Sequence, residues 1–101
     1  MLFEVATPLG FVVRVSVERW RVISTIKHPV MAGQEAEVRE TLANPVQVRR
    51  SRSDPEVLLF YRGQGTRRWV CAVAKRAVEQ GFLITAYPTD SIKEGTPIWP
   101  K

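Results

Sequence analysis

The chain has 101 residues, of which 45% are apolar and 25% charged, as is typical of one globular domain without room for a second core. Its net charge of +5 and its pI near 10 suit an anionic partner, which is nucleic acid or an acidic protein more than a membrane surface. Cys71 is the only cysteine, so an intrachain disulfide is excluded and a reducing cytoplasm is expected. The sequence indicates no signal peptide and no membrane-spanning run.

The N-terminal part predicts a hairpin followed by a helix. The strand-like runs Leu2–Ala6 and Phe11–Ser16 flank the turn Thr7–Gly10, so this hairpin either extends the main sheet or folds over its edge. Ser16 is suited to cap a helix over Val17–Lys27, which must end before Pro29. Because β-branched residues are frequent in this segment, a strand is the alternative.

A second helix is predicted over Met31–Ala43, where Asn44-Pro45 stops it. Four strand-like runs follow, separated by short turn signals that favour an antiparallel meander: Val46–Ser53, Glu56–Arg62, Arg68–Arg76 and Phe82–Tyr87. The tail Asp90–Lys101 is predicted to be turn-like. We therefore expect a single α+β domain, with an N-terminal hairpin and two short helices packed on a four-stranded antiparallel sheet.

Most of the positive charge lies in the meander. The predicted RNA-binding residues are Arg49, Arg50, Arg52, Arg62, Arg68 and Lys75. The alternative for Arg49–Arg52 is an edge strand kept soluble by its charge, and Lys75 is also typical of a solvated strand end.

The available side chains fit metal-independent RNA cleavage better than other chemistry. One histidine and no paired acidic motif argue against a metal site, so neither a metal nor a cofactor is expected. Cleavage needs a base, cations and an acid, which His28, the arginine cluster, Lys75, Tyr61 and Tyr87 can supply. Strand alternation places Thr85 and Tyr87 on one face of the last strand and its core residues Phe82, Ile84 and Ala86 on the other.

Each of these residues also has a purely structural interpretation. His28 fits a cation at a helix end, and Tyr61 fits a core residue with its hydroxyl at the rim. Thr85 is a good strand former, and Ser51 fits a residue that shapes the following turn. Cys71 lies in an apolar run and is expected to be a buried, inert thiol.

Several short motifs, in order, resemble those of small bacterial and phage-linked proteins of the barnase–EndoU–colicin–RelE nuclease fold. They are Trp20, Lys27-His28-Pro29-x-Met31, Val38-x-x-Thr41-Leu42-x-Asn44-Pro45, Val48-Arg49-Arg50-Ser51, Leu58–Arg62, Ile84-Thr85-Ala86-Tyr87, Lys93-x-Gly95 and Trp99. The resemblance implies helices on a four-stranded antiparallel sheet and a metal-independent ribonuclease, often a toxin. The functional set it implies is His28, Arg49–Ser51, Tyr61 and Thr85-x-Tyr87.

One position departs from this resemblance, because Val22 stands where such proteins often have a second histidine. If that histidine is the base, this chain lacks it. The sequence thus favours a toxin-like or phage-related endoribonuclease. Its expected partners are RNA and a cognate antitoxin or other protein. The alternative is a nonenzymatic RNA- or protein-binding module on the same fold.

Overall fold

The computed structural model describes residues 1–78 and 80–101. The elements in chain order are β1 (Phe3–Ala6), β2 (Val12–Val15), α1 (Val17–Val22), a π-helical turn (Ile23–Lys27), a 3-10 turn (Pro29–Met31), α2 (Glu35–Ala43), β3 (Gln47–Arg50), β4 (Val57–Gly63), β5 (Trp69–Arg76), β6 (Gln80–Thr89) and β7 (Thr96–Trp99). The chain is α+β in general. Within the described ranges, none of the helices has the length and apolar character needed to cross a membrane.

The seven described strands form one mixed sheet in the order β1-β2-β6-β5-β4-β3-β7. The predicted four-stranded antiparallel sheet with a hairpin packed on it is therefore wrong. β1 and β2 pair antiparallel, but they extend the sheet because β2 runs parallel to the start of β6. At the other edge, β7 pairs with β3, so the tail is not simply turn-like.

Local signals set the helix boundaries. The Ser16 side chain accepts a hydrogen bond from the Arg19 amide at 3.0 Å and so caps α1, as predicted. The helical path continues through the π-helical turn and stops at His28, whose φ of −143° and ψ of 77° lie outside the helical region, which the following proline disfavours. Gly33 has a φ of +80°, which interrupts the predicted second helix and delays α2 to Glu35.

The main core lies between the helices and one face of the sheet. The helical segments contribute Trp20, Ile23, Val38 and Leu42, and the strands contribute Phe60, Val70 and Leu83. Burial of these large apolar side chains is the main stabilising contribution that holds α1 and α2 on the sheet.

The opposite face, which we call the open face, carries a smaller cluster. Its buried residues are Leu59, Tyr61, Cys71 and Val73, with Val57, Ile84, Tyr87 and Ile92 packed at its margin. A bulge in β6 changes the predicted alternation there, since Val73 opposes Thr85 but Ala74 opposes Leu83. As a result Phe82 is 45% exposed rather than core, while Ala86 is buried as predicted.

Candidate functional site

Strand register brings the predicted site residues together on the open face. One cross-strand row contains Gln47, Tyr61, Cys71 and Tyr87, and the next contains Arg49, Leu59, Val73 and Thr85. Residues directly opposite one another in a sheet have Cβ atoms about 5 Å apart. Tyr61, Thr85 and Tyr87 therefore occupy one small area, although they come from two strands that are not neighbours.

His28 joins this area from the edge of β6. Of the described residues of β6, Gln80, Gly81 and Phe82 pair with β2. The π-helical and 3-10 turns also pack against β6. His28 lies between those two turns and is half-buried. Its imidazole ring packs against the Tyr87 ring with the centroids 5.4 Å apart.

The Thr85 hydroxyl has an unusual environment. Its Oγ1 atom is shielded from solvent and, among residues 1–78 and 80–101, makes no hydrogen bond. A buried polar atom without a partner costs about 1–3 kcal/mol, so most such atoms in folded proteins are satisfied. This hydroxyl, one position along the face from Tyr87, therefore lowers the stability of the folded state.

A cleft of about 510 Å³ opens beside these residues, within the size range of small-molecule sites. Its floor is the apolar part of the open face, and its walls are polar: Ser51, Arg52, Ser53, Lys93 and Glu94. A smaller cavity of about 110 Å³ is lined by Tyr61, Tyr87, Thr89, Ser91, Lys93 and Glu94. Tyr87, Lys93 and Glu94 line both cavities, so the two cavities are adjacent parts of one candidate site.

Burial makes the phenols of this site weaker acids than ordinary tyrosines. Desolvation raises the pKa of Tyr87 and of Tyr61 far above the usual range, and the neighbouring Cys71 adds to both shifts. Both phenols are therefore protonated hydrogen-bond donors at neutral pH and do not act as bases. Burial likewise raises the pKa of Cys71 to about 11, with Tyr87 and Tyr61 opposing the rise, which makes this thiol a poor nucleophile.

Adjacent arginines of β3 lie on opposite faces. Arg49 is on the open face, where its Nε atom donates to Gln47 Oε1 at 2.6 Å and its Nη1 atom donates to backbone carbonyls of Lys93 and Gly95. Arg50 lines a separate cavity on the helix-covered face beside Leu58. The structure thus does not bring Arg49 and Arg50 together as a pair.

The other predicted cations also separate into different environments. Arg52 lines the cleft. Arg62 donates to the Asn44 carbonyl at the end of α2, at 2.6 Å, and lies near Glu40. Lys75 lies 3.5 Å from Asp54 on the open face, and Arg68 is exposed in the turn before β5. Only Arg52 of this set reaches the cleft beside Tyr87.

Lys93 and Glu94 are the site residues that the sequence did not single out. They lie in the segment between β6 and β7, and both line the two cavities. The available signal was the short motif Lys93-x-Gly95, which resembled the nuclease fold but gave no role to the charged side chains. Their position became evident only from the path of this segment over the open face.

The site combines the cations Arg52 and Lys93 and two protonated phenols with the His28 imidazole, which contacts Tyr87 but is not among the residues that line the two cavities. Such a set can bind an anionic group and transfer protons on it. Across the described part of the chain, no three His, Cys, Asp or Glu side chains group as metal ligands. Comparison with protein-family models, with curated proteins and with solved structures finds no match to this chain.

Proposed function

We propose that this chain is a metal-independent endoribonuclease of the cytoplasm, toxin-like or phage-related, which binds RNA on the open face. The observation that carries the proposal is the contact between the rings of His28 and Tyr87, because Tyr87 also lines the cleft that holds Arg52 and Lys93. The motifs that resemble those of the barnase–EndoU–colicin–RelE proteins support the same activity, as does the net charge of +5, but the four-stranded antiparallel sheet that this resemblance implied is not the observed fold.

The proposed reaction divides among the residues of the site. His28 takes the proton of the ribose 2′-hydroxyl, because histidine is the side chain that ordinarily changes charge near neutral pH. The 2′-oxygen then attacks the adjacent phosphorus, and Tyr87 donates a proton to the departing 5′-oxygen. Arg52 and Lys93 stabilise the negative charge of the phosphorane. The products are a 2′,3′-cyclic phosphate and a 5′-hydroxyl end.

Aromatic side chains of the same face give a means to hold unpaired bases. Trp69 is half-buried opposite Thr89, one step along the sheet from the Cys71–Tyr87 pair. Base–aromatic stacking is worth about 1–3 kcal/mol per base and needs no particular sequence. We therefore propose single-stranded RNA as the substrate class.

A nonenzymatic RNA- or protein-binding module is the second candidate, and the two phenols of the site favour it. Burial raises the pKa of Tyr61 and of Tyr87, so both hydroxyls are weak acids, which suits hydrogen-bond donation to a bound partner better than proton transfer. In that case the polar cleft would bind RNA or a partner protein, such as an antitoxin, without cleaving RNA.

The experiment is to incubate the purified protein with mixed single-stranded RNA, with and without EDTA, and to identify the product ends. The proposal expects equal cleavage in both conditions and 2′,3′-cyclic phosphate ends, since side chains supply every proton transfer. Salt-dependent RNA binding without cleavage would support the binding module instead. If RNA is neither cut nor bound, both RNA functions are rejected.

A further inference from the structure

The Arg49 guanidinium donates hydrogen bonds to the backbone of the segment that carries Lys93 and Glu94, two charged residues of the cleft. Its Nη1 atom lies 3.0, 3.5 and 3.3 Å from the carbonyl oxygens of Lys93, Glu94 and Gly95. Its Nε atom donates to Gln47 Oε1, which fixes the plane of the group. Nε and Nη1 act together as a rigid fork that holds Gln47 and the carbonyls at once, whereas a lysine ammonium group has a single nitrogen.

The backbone around Gly95 shows the same close approach. Gly95 has a φ of +81°, and a Cβ atom added there would collide with the Arg50 carbonyl oxygen and lie 3.3 Å from Arg49 Cβ. Immediately afterwards Thr96 pairs with Arg50 at the start of β7. The segment is thus pressed onto β3 at the point where Arg49 holds it, and only glycine fits this path.

This segment carries the charged residues that line both cavities. Lys93 and Glu94 line both the 510 Å³ cleft and the 110 Å³ cavity beside Tyr87. Arg49 donates to the backbone of this segment, while the charge of Glu94 lies close enough to the site to add to the effect of desolvation in raising the pKa of Tyr61 and of Tyr87. A small displacement of a positioning group can cost on the order of 10²-fold in rate.

We propose that Arg49 is a positioning residue, which holds Lys93 and Glu94 at the cleft rather than contacting RNA itself. The expected effect of Arg49 on RNA cleavage rests on the proposed function, whereas its expected effect on the position of the segment does not. It replaces the simpler assignment of Arg49 to phosphate binding. Arg50 is the matched control because it is the adjacent residue of the same strand, has the same charge and lies on the opposite face.

The first test uses cleavage after Glu94 by a Glu-specific endoprotease under native conditions, which requires the segment to detach. Arg49→Lys should speed this cleavage by about 10-fold, because lysine keeps the charge but loses the fork, whereas Arg50→Lys should match the wild type. Equal rates in wild type and Arg49→Lys would overturn the proposal. If Arg49→Lys fails to unfold cooperatively, Gln47→Ala replaces it, and a wild-type cleavage rate in that variant would likewise overturn the proposal.

The second test separates positioning from direct phosphate contact on single-stranded RNA. If Arg49 is a positioning residue, Arg49→Lys should lower the rate of RNA cleavage on the order of 10²-fold and leave the salt dependence of RNA binding unchanged. A phosphate contact predicts instead near-normal cleavage by Arg49→Lys and a salt slope reduced by about one in Arg49→Gln. A wild-type protein that does not cut RNA would reject the proposed nuclease, while the protease result would still decide the role of Arg49.

Discussion

The imidazole ring of His28 lies against the phenol ring of Tyr87, with 5.4 Å between centroids and 41° between ring planes. His28 comes from the end of the first helical segment, and Tyr87 from the far half of β6. Tyr87 in turn is aligned through Cys71 with Tyr61. This contact therefore links the helical layer to the open face and defines where the proposed chemistry takes place.

The hydroxyl and the ring of Tyr87 have separate proposed tasks, which two substitutions can distinguish. Tyr87→Phe keeps the ring that packs on His28 and removes the proton donor, so cleavage should fall by roughly 10²–10⁴-fold while RNA affinity is retained. Tyr87→Ala should lower both. Single-turnover rates and binding isotherms measure the two effects, and full cleavage by Tyr87→Phe would remove Tyr87 from proton transfer.

Thr85 provides a test of function against stability. Because its shielded hydroxyl has no hydrogen-bond partner among the described residues, Thr85→Val should leave the free energy of unfolding unchanged or raise it by about 1 kcal/mol. Thr41→Val is the control, since Thr41 is a buried threonine whose hydroxyl does have a partner and donates to the Glu37 carbonyl at 2.7 Å. That variant should lose about 1 kcal/mol in urea unfolding. A clear loss of stability in Thr85→Val would mean that its hydroxyl is satisfied.

Glu94 places a negative charge in a cleft proposed to bind phosphate. Glu94→Gln should tighten RNA binding roughly fivefold, the effect of about 1 kcal/mol expected between unit charges 4 Å apart in water. Glu37→Gln changes the net charge equally but lies on the exposed side of α2, so it should leave RNA affinity near the wild-type value. Equal effects of the two substitutions would indicate that net charge, not the cleft, governs binding.

The buried thiol predicts a loss of stability at alkaline pH. Burial raises the pKa of Cys71 from 9.0 to about 11, so the folded state retains its proton over a range in which the unfolded state loses it. The free energy of unfolding should therefore be unaffected below the unfolded pKa and decline as the pH rises from 9.0 to about 11. The raised pKa values of Tyr61 and Tyr87 act in the same direction.

Cys71→Ala isolates the contribution of the thiol. Its stability at neutral pH should be lower because a buried side chain is shortened, but the decline across the alkaline window should be shallower than in the wild type. Denaturant unfolding at a series of pH values measures both slopes. Parallel slopes would show that the thiol does not contribute to the alkaline transition.

Local signals predicted much of the chain, because they depend on neighbouring residues alone. Ser16 caps α1, Pro29 ends the helical path at His28, and short turns join the strands from β3 to β6 as antiparallel neighbours. The long-range pairings of β2 with β6 and of β7 with β3 were not predictable in this way. Pro97 made the tail look unsuited to a strand, yet β7 lies at the sheet edge, where proline is tolerated.

The site was predictable where strand alternation alone decides it. Thr85 and Tyr87 share the open face as alternation required, but the bulge at Ile84 exposes Phe82, and no local pattern announced it. Alternation also places Arg49 and Arg50 on opposite faces, but the contacts of Arg49 with the Lys93–Gly95 backbone join residues far apart in sequence, so the basic run gave no indication of them.

The central claim is tested most directly by the rate of RNA cleavage in EDTA for His28→Ala, measured beside Lys27→Ala as the adjacent exposed basic control. Removal of a general base should lower the rate by roughly 10²–10⁴-fold, whereas loss of the Lys27 charge should leave the rate within a few-fold of the wild type. Urea unfolding of both variants verifies that they are folded. A folded His28→Ala variant that cuts RNA at the wild-type rate would contradict the account.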